Sequence, residues 1–114
     1  MYISFARGDS YEKGFVLRDK RTKDFIITDF DEVYFTVKKR YTDKEPVLQK
    51  RMSENGIVND GLGHYTVFIK PEDTEGLPFG EYDFDISLKK DENFVRTFVG
   101  TLELTKEVTH KSNE

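Results

Sequence analysis

The chain has 114 residues, 35% of them charged, a net charge of −4 and no cysteine. That length supports one ordinary core, and the absence of thiols excludes disulfides, thiolate metal sites, cysteine nucleophiles and iron–sulfur clusters. Acidic and basic residues are interspersed, leaving no broad basic field for nucleic acid, and His64 and His110 lie too far apart in sequence to suggest a zinc site.

The first nine residues have neither a basic start nor an apolar run, and no later segment approaches a membrane span. Neither a signal peptide nor a membrane partner is expected, and the protein is expected to stay in the cytosol. Arg7-Gly8-Asp9 spells an adhesion tripeptide, a triplet common by chance. Phe15-Val16-Leu17, Phe25-Ile26-Ile27, Val33-Tyr34-Phe35-Thr36-Val37 and Pro46-Val47-Leu48 are short β-rich runs separated by polar breaks such as residues 19–24. That spacing favours hairpins. The basic clusters Lys38-Lys39-Arg40 and Lys50-Arg51 read as solvated strand ends and edge protection.

Ile57-Val58 is a minor strand, after which Asn59-Asp60-Gly61-Leu62-Gly63 turns the chain into a strand at residues 64–70. Tyr65, Val67 and Ile69 share one face of it, and Phe68 on the other points to a partly covered outer surface. Pro71-Glu72-Asp73-Thr74-Glu75 is the one helical turn, with proline at its start and acids facing the positive end of the dipole.

The corner Gly76-Leu77-Pro78-Phe79-Gly80 leads into the clearest strand. Tyr82, Phe84, Ile86 and Leu88 form an apolar row, and Glu81, Asp83, Asp85 and Ser87 a polar one, as only a strand arranges them. Residues 94–104 form one long strand in which Gly100 marks a bulge or bend. From residue 106 to 114 the apolar content is too low to pack.

About seven or eight strands and no helical period predict an all-β, antiparallel, immunoglobulin-like sandwich over residues 1–105 and a polar, flexible tail over 106–114, with a barrel as the alternative. Tyr82 follows its corner as the tyrosine corner of an immunoglobulin-like fold does, and Phe84 takes the position of a disulfide cysteine. The plainer reading of Tyr82 is a core tyrosine with a satisfied hydroxyl.

Three groups invite a chemical reading. Glu81, Asp83 and Asp85 project from one strand face with alternate residues about 7 Å apart, a spacing used by paired carboxylates in sugar hydrolysis. A regular outer face supplies neither wall nor pocket to split their acidities, so they read as solvated surface or salt bridges. Asp29, Asp31 and Glu32, with Asp24 or Asp60, offer oxygen ligands for calcium without a calcium-loop spacing, and equally form a turn before a strand. Residues 59–63 precede no helix and are no phosphate loop, and Ser4, Ser10, Ser53, Ser87 and Ser112 lack a nucleophile elbow. No catalytic, cofactor-binding or metal-ligating residue is assigned.

The order of motifs carries a further signal. Arg7-Gly8-Asp9-Ser10, Val33-Tyr34-Phe35-Thr36-Val37-Lys38, Gly63-His64-Tyr65, Pro71-Glu72-Asp73-Thr74, residues 80–86, residues 97–102 and Glu107-Val108-Thr109 follow one another. In that order, from about Phe5 to Thr109, the chain resembles the immunoglobulin-like N-terminal domain of phage upper baseplate proteins and related small standalone prophage proteins. The resemblance implies a non-enzymatic structural component of a tailed-phage or prophage particle, in the baseplate, tail or neck. Its partners would be other phage structural proteins or copies of itself, first in the host bacterial cytoplasm and then in the virion. The alternative is a carbohydrate-binding module using Tyr11, Tyr34 or Tyr41, with Tyr34 the best placed platform.

Overall fold

The computed structural model describes residues 1–18, 21–24 and 30–106. Their strands are β1 (Tyr2–Ala6), β2 (Tyr11–Val16), β3 (Glu32–Lys38), β4 (Leu48–Arg51), β5 (Ile57–Gly61), β6 (His64–Ile69), β7 (Gly80–Lys90) and β8 (Asn93–Thr105). The short helix α1 (Pro71–Thr74) lies between β6 and β7. One sheet has the order β1-β8-β7-β3-β4 and the other β2-β6-β5. The second, sixth and fifth strands thus oppose the third, seventh and eighth, which is the immunoglobulin arrangement of B, E and D against C, F and G.

Alternation produces the core. In β3 Val33, Phe35 and Val37 point inward, in β6 Tyr65, Val67 and Ile69, and in β7 Tyr82, Phe84, Ile86 and Leu88. Phe35 and Phe84 meet with ring centroids 5.1 Å apart, so an aromatic pair stands where immunoglobulin domains pack tryptophan on a disulfide. The Phe5 ring of β1 stacks on Tyr11 of β2 at 4.4 Å and joins the two sheets at one edge.

The corner before β7 is held from several sides. The Tyr82 hydroxyl donates to the Pro78 carbonyl at 2.6 Å, which makes Tyr82 a tyrosine corner. Burial pushes its phenol above the ordinary value and the Arg7 guanidinium works against that shift. Arg7 donates to the Leu77 carbonyl at 3.1 Å and lies 4.0 Å from the Phe79 ring. The Gly8 N–H, in a turn with φ 83°, donates to the buried Thr74 hydroxyl at 2.9 Å. Arg7 and Gly8 of the tripeptide therefore form a structural clasp on the α1 corner. Asp73 accepts the Lys70 N–H at 2.8 Å and pairs with Lys50 at 2.6 Å.

Several expectations need correction. Residues 2–6 form a strand beyond those expected, and it pairs in parallel with β8, the one parallel ladder among the described strands. Its alternation lasts only from Tyr2 to Phe5, too short a run to stand out. β2 begins at Tyr11 and β4 ends at Arg51, each offset from the apolar runs that suggested them. Lys50 is not a solvated edge lysine, because it reaches Asp73. Gly100 lies in regular register opposite Phe84, while the irregularity of β8 faces Leu88 and Lys89. Gly100 is needed for close approach instead: a Cβ there would stand 2.5 Å from the Met1 carbonyl oxygen and 2.7 Å from the Phe84 ring. The strand expected at Phe25-Ile26-Ile27 and most of the tail expected over 106–114 lie outside the described residues.

Two substitutions test this frame by urea unfolding. Tyr82→Phe keeps the ring and strips Pro78 of its donor, so a loss of about 1–2 kcal/mol is expected; an unchanged midpoint would remove the corner from the account. Gly100→Ala forces backbone or Phe84 to move and is expected to cost about 2–3 kcal/mol.

Candidate functional site

The outer face of the five-stranded sheet gathers the side chains that the core rejects. β7 contributes Glu81, Asp83, Asp85, Ser87 and Lys89; their neighbours across β8 are Glu103, Thr101, Val99, Thr97 and Phe94, in that order. On the other side β3 sets Lys38 against Asp83, Thr36 against Asp85 and Tyr34 against Ser87. β1 adds Tyr2 beside Thr101 and Ser4 beside Glu103.

This polar face is interrupted by apolar groups. Val99 is 73% exposed, Phe94 61% and Tyr2 56%. The 39–47 loop adds Tyr41, 79% exposed, at the end of the sheet. The loop is pinned there by the Tyr41 N–H donating to Asp83 at 2.9 Å, by Lys39 Nζ donating to the Glu81 carbonyl at 3.2 Å, and by Lys39 lying 4.7 Å from the Tyr82 ring. Between Tyr41 and Val99 runs a groove of about 430 Å³, bordered by Thr36, Lys38, Asp83, Asp85 and Thr101. A second depression of about 290 Å³ continues past Asp85 toward Pro46 and Phe94.

The wall that a flat strand face would lack is thus supplied by the loop, against the expectation that Asp83 and Asp85 have no pocket. Asp85 accepts the Ser87 hydroxyl at 3.2 Å, and neither aspartate forms a salt bridge with a described residue. Glu81 and Glu103 stand directly opposite each other, a like-charge pairing that costs stability. Glu103 takes hydrogen bonds from the Tyr2 hydroxyl and from Ser4. The bond to Glu103 is the largest cause holding the Tyr2 phenol above its ordinary value, followed by desolvation and the charge of Glu103.

Other candidates scatter. Asp31 accepts the Asp91 N–H at 2.7 Å and faces Lys90 at 3.9 Å, while Asp60 accepts the Thr66 hydroxyl at 2.6 Å on the other sheet. Asp29 lies outside the described residues, among which no cluster of three or more metal-ligating side chains occurs. Glu32 accepts the backbone N–H groups of Val33 at 3.1 Å and Ser53 at 3.0 Å. Burial acts to raise its pKa, but the Ser53 and Val33 hydrogen bonds and the Arg51 charge prevail and hold it below the ordinary value. His64 belongs to β6, on the sheet opposite Ser87 and Asp85, and His110 lies outside the described residues. Tyr11 is occupied by its stack on Phe5, and Tyr34 is flanked by Phe94 at 5.8 Å and by the Arg51 guanidinium at 5.3 Å.

Tyr2, Val99 and Phe94 are the apolar members of the face that sequence reasoning missed. Counting back from Leu104 and Leu102 places Phe98 inward and Val99 among the outward threonines. That was the available signal. Comparison with protein-family models, curated proteins and solved structures finds no match for this chain. No helix among the described residues is long and apolar enough to cross a membrane.

Glu32 yields a pH prediction. With a folded value below the unfolded one, its contribution is complete above the ordinary glutamate range, about 4.3, and disappears as pH falls through the folded value. Glu32→Gln is expected to lower stability by about 1 kcal/mol at pH 7. Urea midpoints of parent and variant should converge as the pH falls below the folded value; a gap independent of pH would assign the effect to shape alone.

Proposed function

We propose that this protein is a non-enzymatic assembly module of a tailed-phage or prophage particle, a baseplate, tail or neck accessory acting through protein–protein contacts. The observation that supports the reading best is the concentration of exposed Tyr2, Tyr41, Phe94 and Val99 on one sheet face. Apolar and aromatic groups gathered in this way, within a polar rim, characterise protein-binding surfaces. The phage assignment rests on the order of sequence motifs. The partner is another particle protein or a second copy, and head-to-tail contacts of such modules close into rings.

Co-expression with the products of neighbouring genes, followed by sedimentation, is expected to yield a complex of defined stoichiometry. Val99→Glu should weaken it by about tenfold or more, because a charge is then buried without a partner, and should leave the urea midpoint of the isolated protein nearly unchanged. A strictly monomeric protein that is absent from purified particles overturns the proposal.

The groove itself favours a second reading, a carbohydrate-binding module. Asp83, Asp85, Thr36 and Thr101 offer hydrogen-bonding groups beside Tyr41, which replaces the flanked Tyr34 as the aromatic platform. Titration with host cell-wall glycans should change tyrosine fluorescence saturably; a flat response at millimolar glycan eliminates this alternative.

A further inference from the structure

β1 is an end strand of its sheet, and no described strand covers its outer side. The Thr101 N–H donates to the Met1 carbonyl and the Arg7 N–H to the Thr105 carbonyl, each at 3.0 Å. Bonding residues alternate in a parallel ladder, so Met1, Ile3, Phe5 and Arg7 turn their peptide groups to β8 while Tyr2, Ser4 and Ala6 turn theirs outward. The Ala6 carbonyl accepts the Asp9 N–H at 3.1 Å, which closes that end. Tyr2 and Ser4 each present a donor and an acceptor that no described backbone group meets.

The other end strands are guarded. β4 carries Lys50 and Arg51, β2 carries Glu12, Lys13 and Gly14, and β5 carries Asp60 and Gly61 with a shifted register after Asn59. Charges, glycine and bulges of this kind keep an edge from pairing. β1, with the sequence Tyr2-Ile3-Ser4-Phe5-Ala6, has no charged residue, glycine, proline or bulge. Met1 and Tyr2 are more than half exposed beside it.

We propose that β1 pairs with β1 of a second copy of this chain, antiparallel about a two-fold axis at Ile3, joining two five-stranded sheets into one. This inference rests on the assembly reading above, in the form in which the partner is a second copy. Tyr2 then stands opposite the partner's Ser4, and Ser4 opposite the partner's Tyr2. Each pair exchanges two N–H···O=C bonds, four in all, from the open groups of residues 2 and 4. This register avoids the engaged Ala6 carbonyl, which an axis at Ser4 would set against the partner's Tyr2. Side chains match as well. On the outer face the large Tyr2 lies beside a small serine; on the inner face Ile3 meets its own copy and Phe5 meets the partner's Met1. The strand thus satisfies itself without bringing a charge of its own into the contact, which is what selects a second copy as the occupant. The contact is isologous and stops at two, because it consumes the unguarded edge of each copy and leaves guarded edges outermost.

Sedimentation equilibrium of the full chain is expected to show a concentration-dependent dimer. Ser4→Pro removes an edge-facing N–H and none that serves β8, so the fold should persist while dimerisation weakens by about tenfold or more. Ser4→Ala, which keeps the backbone donor, should dimerise like the parent. Amide hydrogen exchange on the parent makes the test independent of how Ser4→Pro folds. Protection of the Tyr2 and Ser4 amides is expected to grow with protein concentration, and that of the β2, β4 and β5 edges to stay constant. A parent that is monomeric at millimolar concentration, a folded Ser4→Pro that dimerises like the parent, or protection that grows at another edge overturns the proposal. Particle assembly separates the two readings. If the isolated chain is monomeric yet enters a particle complex, the edge pairing fails and the assembly role stands. If it dimerises through β1 yet joins no particle complex, the pairing stands and the phage role fails.

Discussion

A slip of one residue along β7 would carry Tyr82, Phe84, Ile86 and Leu88 to the water face and bring Glu81, Asp83, Asp85 and Ser87 into the core. Each large apolar side chain so exposed forfeits about 1.5–3 kcal/mol, and each buried unpaired carboxylate costs more. The register is therefore strongly determined, and because β7 lies between β8 and β3 it sets theirs as well. The hydrogen bond from Tyr82 to Pro78 fixes where that register begins. Arg7, Gly8 and Thr74 hold the same corner from the β1 side, so the entry of β7 and the exit of β1 are positioned together.

The properties of the outer face follow from this constraint. Side chains excluded from the core by alternation are gathered in cross-strand rows, and these rows place Glu81 against Glu103 and Val99 beside Asp85. A surface shaped by stability alone would alternate charges across strands. Here carboxylates, threonines and exposed apolar groups share one face with Lys38, and Lys44 borders it, while Lys39 is engaged on a carbonyl and a ring and Arg51 on Gln49 and Tyr34.

Much of the sandwich was legible in the chain. Strict alternation in β7 and β6 marks strands half in water and half in a core, and the Gly-Pro corner before Tyr82 marks its turn. The same logic faltered on short elements. β1 offers only Ile3 and Phe5 as its inward row, and its parallel seat beside β8 depends on residues about a hundred positions away. Gly100 reads locally as a bulge. Its actual constraint comes from the Met1 carbonyl and the Phe84 ring, which no local pattern contains. Among candidate site residues, the outward row of Glu81, Asp83 and Asp85 was readable, but the groove was not, because its wall is a loop donated from residues 39–47.

By itself the sequence determined the all-β class, the inner and outer rows of each long strand, the helical turn after β6 and the lack of thiol chemistry. These are consequences of side-chain period and composition, which act over a few residues. Tertiary structure decided which outward rows became neighbours, where β1 docked and which polar face acquired a wall. Those outcomes depend on the pairing of strands distant in sequence and on loop hydrogen bonds such as Tyr41 to Asp83, whose energies exist only once the two sheets have closed on their core.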